Sequence, residues 1–187
     1  MTGLYGVIGD PIAHSLSPLI HNEWLREHGI DATYKAMQVP EGELEEALAT
    51  LTRQGARGLN ITLPHKQAAL ALAEEQGDLA RRIGAANTLT RTDSGGWRAD
   101  NTDAPGFIHT LDKAGLDVAG KNVFLLGAGG SARALAVVLT DLRANLTICN
   151  RTLSRAREIA DDLLTKPEIC TLDVGLARLA TAELVVN

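Results

Sequence analysis

The sequence contains few aromatic residues, few cysteines and no excess of basic residues. Phenylalanine, tryptophan and tyrosine make up 3% of its 187 residues, and there are two cysteines. Two cysteines cannot build a disulfide framework, so we expect Cys149 and Cys170 to be buried thiols in a reducing cytoplasm. The net charge of −5 argues against nucleic acid as a partner, because binding to a duplex requires a basic surface.

Long apolar runs, metal-ligand patterns and one hydrolase motif are also missing. No run approaches the roughly 18 apolar residues of a membrane helix, so we predict no membrane association. His, Cys and Asp residues are not spaced as metal ligands, and we expect no metal. The stretch Gly-x-Ser-x-Gly is absent, which argues against the hydrolases that use it. The remaining composition, 45% apolar and 22% charged, is typical of a globular protein.

Short apolar runs alternate with amphipathic helical patterns along the whole chain. The predicted strands lie near residues 4–8, 32–39, 58–62, 85–92, 97–99, 123–127, 145–150, 168–172 and 183–187. Residues 93–96 predict a hairpin turn between the fourth and fifth of these strands. The alternation in both halves of the chain predicts an α/β fold with mostly parallel sheets.

The predicted boundaries divide the chain into a first domain over residues 1–103, a linking helix and linker over residues 104–121, and a second domain over residues 122–187. The final predicted strand reads as a buried parallel strand, and nothing follows it. Such a strand needs partners and a covering helix, so we interpret the chain as truncated at its C-terminus.

Three helix starts follow from residue preferences at helix N-termini. Ser17 is predicted as an N-cap, with Pro18 in the first helical position. A second helix is predicted to open at Pro40 and Glu41, because acidic residues there suit the helix dipole. Asp103 reads most simply as the N-cap of the helix that follows it.

The most informative stretch is an apolar strand that runs into a glycine-rich turn and then a helix, residues 123–133. Gly127 and Gly129 can form a tight turn that lets backbone N–H groups approach a pyrophosphate at the helix N-terminus. Ala132 replaces the third glycine of the usual pattern, a variant that the fingerprint allows. Because the glycines stand between a strand and a helix, the stretch predicts a dinucleotide site.

The residues at the end of the next strand indicate which dinucleotide binds. An NAD site places an acid there for the ribose 2′-hydroxyl, whereas this chain has Asn150 and Arg151. Arg155 is expected one helical turn beyond Arg151, so that both guanidinium groups reach one phosphate. The sequence therefore favours NADP over NAD. We interpret Arg157 as part of a solvated helix face.

Polar residues in the first half of the chain follow predicted strands, where ligands of parallel α/β domains bind. Lys66 lies near a helix N-terminus, where a cation opposes the helix dipole, so stability alone does not favour it. A Lys66–Asp103 pair in one cleft could move the proton that accompanies hydride transfer to or from an alcohol. Hydroxyls and amides around the pair suit a small polyol substrate.

In six stretches, taken in order, the chain resembles the shikimate dehydrogenase family. They are residues 6–18, 59–66, 84–89, 100–103, 127–130 and 150–152. The resemblance implies reversible, NADPH-dependent reduction of 3-dehydroshikimate to shikimate, in the pathway to chorismate and aromatic amino acids. It also implies that residues 1–103 form an N-terminal α/β substrate-binding and catalytic domain with a mostly parallel sheet. Residues 122–187 would then form an incomplete Rossmann-type NADP-binding domain, and the family continues well past residue 187. One departure is Ala104, where the family usually has glycine.

The resemblance assigns a role to each matching residue. Ser15 and Ser17 would hold the substrate carboxylate, and Lys66 and Asp103 would form the catalytic pair. The residues implied to bind the ring hydroxyls are Thr62, Lys66, Asn87 and Asp103. Those implied to cradle the pyrophosphate are Gly127, Ala128, Gly129, Gly130, Ser131 and Ala132. Those implied to surround the 2′-phosphate are Asn150, Arg151, Thr152 and Arg155.

Three alternatives remain open at the level of sequence. A quinate/shikimate dehydrogenase would also accept quinate, with NAD as an alternative cofactor. A methylenetetrahydrofolate dehydrogenase of similar architecture would have to stack a flat pterin, for which aromatic partners are scarce. A non-catalytic ligand-binding protein could keep the fold, although retention of Lys66 and Asp103 argues against it. The expected oligomeric state is a monomer or homodimer.

Overall fold

The computed structural model describes residues 3–187 and divides after Asn101 into two compact units. The first two residues of the predicted substrate domain lie outside the described residues. Strands and helices alternate in both units, as the sequence pattern predicts. Within residues 3–187, no helix is both long enough and apolar enough to cross a membrane.

The first unit contains one six-stranded sheet with the strand order β2-β1-β3-β5-β6-β4. Its elements are β1 Gly3–Gly9, α1 Ser17–Glu27, β2 Ala32–Gln38, α2 Leu44–Arg53, β3 Ala56–Ile61, α3 Lys66–Leu72, β4 Glu75–Gln76, α4 Asp78–Ile83, β5 Thr88–Arg91 and β6 Trp97–Asp100. The central strand β1 runs parallel to β2 and β3, and β4 runs parallel to β6. The predicted hairpin is confirmed, because β5 runs antiparallel to both β3 and β6.

The second unit contains four parallel strands in the order β10-β7-β8-β9. Its elements are α5 Asp103–Ala114, β7 Asn122–Leu126, α6 Gly130–Asp141, β8 Asn145–Cys149, α7 Leu153–Asp162, β9 Glu168–Cys170, α8 Leu172–Ala177, a short 3-10 helix Leu179–Thr181 and β10 Leu184–Val186. A Rossmann-type order, with β7 beside β8 and a helix between them in sequence, places the glycine turn at the sheet's carboxyl edge.

The core of the first unit lies between its sheet and the apolar stripe of α2. Leu44, Leu48 and Leu51 are buried, as the i, i+4, i+7 spacing predicts. They pack in one cluster with strand residues such as Ile61 and Leu89. The opposite face of β1 packs with residues of β2 and α1, including Val7, Tyr34 and Leu25. This packing holds β1 and β3 rigidly beneath the loops that follow them.

Two predicted helix starts are wrong by a few residues. Leu16, not Ser17, is the N-cap of α1, and Ser17 is the first helical residue. The Oγ atom of Ser15 accepts a hydrogen bond from the backbone N–H of Ser17 at 3.3 Å, so a serine still serves this helix end. The second helix begins at Leu44 rather than near Pro40, because the positive φ of +92° at Gly42 forms a turn first.

Other features of the fold differ from the sequence pattern. The helix α4 and the two-residue strand β4 carry no clear periodic signal, and the sequence analysis did not predict them. The last strand, β10, is parallel to β7 as predicted, but it is not fully buried. Val185 is 44% exposed, because alternate residues of β10 face away from the packed side of the sheet.

The two cysteines are buried thiols, as predicted. Cys149 and Cys170 occupy paired positions on β8 and β9, with their Sγ atoms 3.3 Å apart. Burial, together with the hydrogen bond to Cys170, raises the pKa of Cys149 to about 12, so its thiol stays protonated at neutral pH. The two thiols lie side by side on neighbouring strands, and Cys149 directly precedes Asn150.

We expect Leu89→Ala to destabilise the first unit strongly. Leu89 is fully buried at the centre of the larger core cluster, so its removal leaves a cavity that costs about 2–5 kcal/mol. Urea unfolding followed by tryptophan fluorescence measures this, because both tryptophans lie in the first unit. The matched control is Leu19→Ala, at a position 72% exposed on α1, with an expected change within about 0.5 kcal/mol. Equal losses for the two variants would contradict the assigned core.

Candidate functional site

The loops after β1 and β3 meet at one edge of the first sheet. Because the two strands are parallel neighbours, their carboxyl ends lie side by side. Two backbone hydrogen bonds join the loops: Thr62 N–H donates to the Ile8 carbonyl at 2.9 Å, and Asp10 N–H donates to the Leu63 carbonyl at 3.0 Å. The polar residues of both loops are therefore held together by the sheet itself.

A cavity of about 280 Å³ opens at this edge. It is lined by Val7, Pro11, Ile12, His14, Ser15, Ser17, Thr62 and Leu63. The three hydroxyl side chains, from Ser15, Ser17 and Thr62, are half-buried around an apolar base. Hydroxyls of this kind can donate hydrogen bonds to a carboxylate or a sugar-like hydroxyl. The structure thus brings together three residues that the sequence analysis selected separately.

Lys66 is the first residue of α3, directly after the loop that carries Thr62. It is only 9% exposed, and its backbone carbonyl accepts a hydrogen bond from Ala86 N–H at 2.8 Å. The preceding residue, His65, is buried, and its Nε2 atom lies 2.7 Å from the Val39 carbonyl oxygen. His65 therefore anchors the start of the helix, and Lys66 is placed at the same edge as the serines.

Asn87 joins this edge through the pairing of β3 with β5. Its carbonyl accepts a hydrogen bond from Ile61 N–H at 2.8 Å, and its own N–H donates to the Asp100 carbonyl at 3.1 Å. The Thr88 hydroxyl donates to Asn87 Oδ1 at 2.9 Å, which orients the amide. A hydroxyl-rich ligand at this edge would meet an amide held in one orientation.

Asp103 belongs to the second unit, where it is the first residue of α5. The prediction that it is the N-cap is wrong, because Thr102 occupies that position. An acid in the first helical turn still suits the helix dipole, which explains why a helix can begin there. The pairing of Asp103 with Lys66 stays a prediction.

The glycine turn of the second unit has the shape that a dinucleotide phosphate needs. Gly127 adopts a φ of +112°, which favours glycine, and its N–H donates to the Cys149 carbonyl at 2.8 Å. Gly129 is the N-cap of α6 in an extended conformation. A Cβ atom built on either glycine meets nothing within 4 Å, so the space in front of the turn is open.

The predicted cradle residues divide between the turn and the helix. Gly127, Ala128 and Gly129 form the turn, and Gly130, Ser131 and Ala132 are the first three residues of α6. That first turn contains no acidic residue, so its positive dipole end is not neutralised. The open space, the positive φ and the helix N-terminus together fit the pyrophosphate of a dinucleotide.

The polar tip after β8 carries the basic residues. Asn150 N–H donates to the Cys170 carbonyl at 3.1 Å, and its side-chain amide donates to the Thr152 carbonyl at 2.8 Å. The helix α7 begins at Leu153 with Thr152 as N-cap, so Arg151 precedes the helix and Arg155 lies in its first turn. Arg151 is therefore not one helical turn from Arg155, because it lies outside the helix, and the convergence of both guanidinium groups on one phosphate stays a prediction.

Arg151 and Arg155 are nevertheless both exposed at the start of α7. Among residues 3–187, no carboxylate forms an ion pair with either guanidinium group, and the first turn of α7 contains no acid. A dianionic phosphate is a suitable partner for guanidinium groups in such a position. In the same part of the chain, no three His, Cys, Asp or Glu side chains come together as a metal site.

Two contacts of these sites were not predicted from the sequence. The Tyr34 hydroxyl donates to Asn60 Oδ1 at 2.6 Å, and burial raises the pKa of Tyr34 to about 12, which keeps it a donor. In the second unit, Arg133 forms an ion pair with Asp162. The sequence does contain an indication for Arg133. A cation in the first turn of a helix opposes the helix dipole, which is the argument that singled out Lys66.

Comparison with known families gives matches to both halves of the chain. Residues 7–89 match the family model of the shikimate dehydrogenase substrate binding domain. Residues 110–187 match the model named shikimate / quinate 5-dehydrogenase. The two matches fall on the two units that carry the serine-lined cavity and the glycine turn, respectively.

One curated relative is the shikimate dehydrogenase (NADP(+)) of Hyphomonas neptunium. It is 57% identical over 187 residues, which are all of this chain and 69% of that protein. A second, from Acidiphilium cryptum, is 45% identical over 98% of this chain and 66% of that protein. The chain thus spans about two thirds of the length of the curated relatives it matches.

Two solved structures that superpose on this chain are also shikimate dehydrogenases. The crystal structure of shikimate dehydrogenase from Aquifex aeolicus superposes with a TM-score of 0.88 at 32% identity, covering 100% of this chain and 68% of that chain. The Thermus thermophilus enzyme, solved in complex with NADP(H) and shikimate, gives 0.83 at 36% identity, covering 98% and 67%. The chain therefore belongs to the shikimate dehydrogenase family.

Proposed function

We propose that this chain contributes to the reversible reduction of 3-dehydroshikimate to shikimate with NADPH. The observation that carries the proposal is the joint position of Ser15, Ser17 and Thr62 around one cavity, in the unit that matches a substrate binding domain. The relatives named above are shikimate dehydrogenases, and one neighbouring structure contains shikimate and NADP(H). The same reaction is proposed here for residues of this chain.

The substrate carboxylate is assigned to Ser15 and Ser17. Both hydroxyls line the cavity at the start of α1, whose dipole is positive at that end. Hydroxyl donors and a helix N-terminus suit a carboxylate without a permanent cation. Thr62 and Asn87, at the neighbouring loop ends, are assigned to the ring hydroxyls, which need paired donors and acceptors.

Lys66 is assigned as the general acid and base. When bound, NADPH supplies the hydride that attacks the substrate carbonyl carbon. As the carbonyl oxygen gains negative charge, Lys66 donates a proton to it, and in the reverse direction Lys66 accepts the proton of the alcohol. Asp103 is proposed as its catalytic partner and as an acceptor for a ring hydroxyl.

The cofactor is assigned to the second unit in two parts. The turn at Gly127 and Gly129 and the first residues of α6 hold the pyrophosphate through backbone N–H groups. Asn150, Arg151, Thr152 and Arg155 surround the 2′-phosphate. Because the guanidinium groups complement a phosphate and no acid is available for a ribose hydroxyl, NADP is preferred over NAD. The cytoplasmic location and the monomeric or dimeric state stay predictions.

Shikimate-dependent reduction of NADP⁺, followed by absorbance of NADPH, tests the proposal. Quinate and NAD⁺ are run beside it, because one matched model is named for shikimate and quinate. We expect turnover with shikimate and NADP⁺, with lower activity for either replacement. Calorimetric titration of the chain with each ligand accompanies the assay. Absence of turnover together with absence of shikimate and NADP⁺ binding would contradict the proposal.

Lys66→Ala is expected to lower kcat far more than it raises the KM for shikimate. Loss of a positioned acid and base lowers turnover by about 10²–10⁴-fold, whereas the hydroxyl and amide contacts of the substrate remain. Steady-state kinetics at saturating NADP⁺ measure both constants. Lys35→Ala, at an exposed lysine of β2, is the matched control and should leave them unchanged. An unchanged kcat for Lys66→Ala would remove Lys66 from the catalytic step and favour a binding-only protein.

Arg151→Ala is expected to weaken NADPH binding by about 10–100-fold, the value of a lost charge-assisted hydrogen bond. NADH lacks the 2′-phosphate, so its affinity should change by less than about twofold on the same reasoning. Fluorescence titration with both cofactors measures the ratio. Arg157→Ala, an exposed arginine on the same helix, is the control. If both cofactors lose affinity equally, Arg151 does not select the phosphate.

Gly127→Ala is expected to abolish cofactor binding and to destabilise the second unit. An alanine at φ of +112° is strained by about 1–3 kcal/mol, and relief of the strain moves the N–H groups of the turn. Gly120→Ala is a matched control, since Gly120 has a φ of +70° and an equally open Cβ position outside the turn. The control should lose stability but keep NADPH affinity. Intact binding by Gly127→Ala, measured by titration, would show that the turn does not hold the pyrophosphate.

A further inference from the structure

Arg133 is a nearly buried cation in the first turn of α6, and the proposed chemistry leaves it without a role. We infer that Arg133 is a positioning residue for recognition of the 2′-phosphate: it fixes α7, and with it the arginines at the start of α7, against the helix that follows the glycine turn. The inference rests on the proposed function, because it assumes that Arg151 and Arg155 bind that phosphate.

The geometry links two helices that each carry one part of the cofactor site. Arg133 Nη1 donates to Asp162 Oδ2 at 2.6 Å, and Nη2 lies 4.0 Å from Glu158 Oε2. Glu158 and Asp162 are four residues apart on α7, so they face the same side of that helix. The arginine side chain is 10% exposed, whereas the carboxylates remain largely in solvent.

Stability alone gives little reason for this arrangement. A cation in the first turn of a helix opposes the helix dipole, and a buried arginine loses most of its hydration. An apolar side chain of similar volume would fill the same space at no greater cost in free energy. What the ion pair adds is a defined register between α6 and α7, because a guanidinium group engages carboxylates only in a narrow range of positions.

The other contacts of α7 give that register little help. The helix packs mainly against β8 and β9, and its buried residues are Ala156, Ile159 and Ala160, so these contacts hold it on the sheet rather than against α6. The backbone N–H of Arg133 donates to the Gly129 carbonyl at 3.1 Å, so the same residue is tied to the glycine turn. If α7 shifts, Arg155 moves with it while the turn keeps its place.

The test compares two fragments of the cofactor, 2′-phospho-ADP-ribose and ADP-ribose, by calorimetric titration. Asp162→Asn keeps the arginine and removes the charge of its hydrogen-bonded partner on α7, and Arg133→Met removes the guanidinium group at nearly constant volume. Both variants are expected to lower the preference for the 2′-phosphorylated fragment about tenfold, part of the value of a charge-assisted contact. Their affinity for ADP-ribose should stay within about twofold on the same reasoning.

Two further measurements separate positioning from a general loss of structure. Glu168→Gln breaks the exposed ion pair between Arg178 and Glu168 in the same unit, and it should leave the preference unchanged. The double variant Arg133→Met with Asp162→Asn should lose no more preference than Arg133→Met alone, because both substitutions remove one interaction. Asp162→Asn keeps the test valid even where Arg133→Met fails to fold.

The outcomes are distinct. An unchanged preference in Asp162→Asn, or an equal loss for both fragments, would overturn the inference. Additive losses in the double variant would also overturn it. If the unsubstituted chain shows no preference for 2′-phospho-ADP-ribose, the proposed selection of NADP fails, and the positioning role fails with it. If Arg151→Ala loses the preference while Asp162→Asn retains it, the proposed cofactor site stands and only the role of Arg133 is rejected.

Discussion

Parallel strand pairing is the constraint on which the sites of both units depend. A parallel pair cannot be joined by a tight turn, so the chain must cross back through a helix, and every loop that follows a strand emerges at the same edge. In the first unit this brings the loop after β1, with Ser15 and Ser17, beside the loop after β3, with Thr62 and Lys66. In the second unit it brings the turn after β7 beside the tip after β8. The antiparallel β5 then adds Asn87 to the first edge without a crossover.

Charge is distributed at these edges in a way that suits anionic ligands in a chain of net charge −5. The helices α1 and α6 have no acid in their first turns, so their positive dipole ends face the cavity and the glycine turn. Lys66 and Arg133 are among the cations that occupy the first turns of helices, where the dipole disfavours them. Lys66 is assigned to proton transfer, and Arg133 is held by the carboxylates of α7. A residue in such an electrostatically unfavourable position is a candidate for a functional role or for positioning one helix relative to another.

The sequence predicts the alternation of strands and helices because each buried strand is an apolar run and each helix has a periodic stripe, as with Leu44, Leu48 and Leu51. It predicts the glycine turn because a φ such as that of Gly127 favours glycine. Helix starts are less predictable from the sequence. Ser17 is a residue type expected at an N-cap, but the hydroxyl that accepts a hydrogen bond at the start of α1 belongs to Ser15. Pro40 is a residue type expected in a first helical turn, but the turn at Gly42 delays the start of α2 to Leu44. The short helix α4 has no stripe to detect. The ion pair of Arg133 with Asp162 joins residues far apart in sequence, and only the packing of α6 and α7 decides which acid is the partner.

The central claim is that each unit binds its own ligand at the carboxyl edge of its sheet. Chemical-shift perturbation of backbone amides in the isotopically labelled chain, titrated separately with shikimate and NADP⁺, tests it most directly. The account predicts that shikimate shifts the amides of residues 14–17, 60–63, 65 and 66, and that NADP⁺ shifts those of residues 127–133 and 150–155. Shifts from either ligand that centre on other parts of the chain, or no shifts at saturating concentrations, would contradict it.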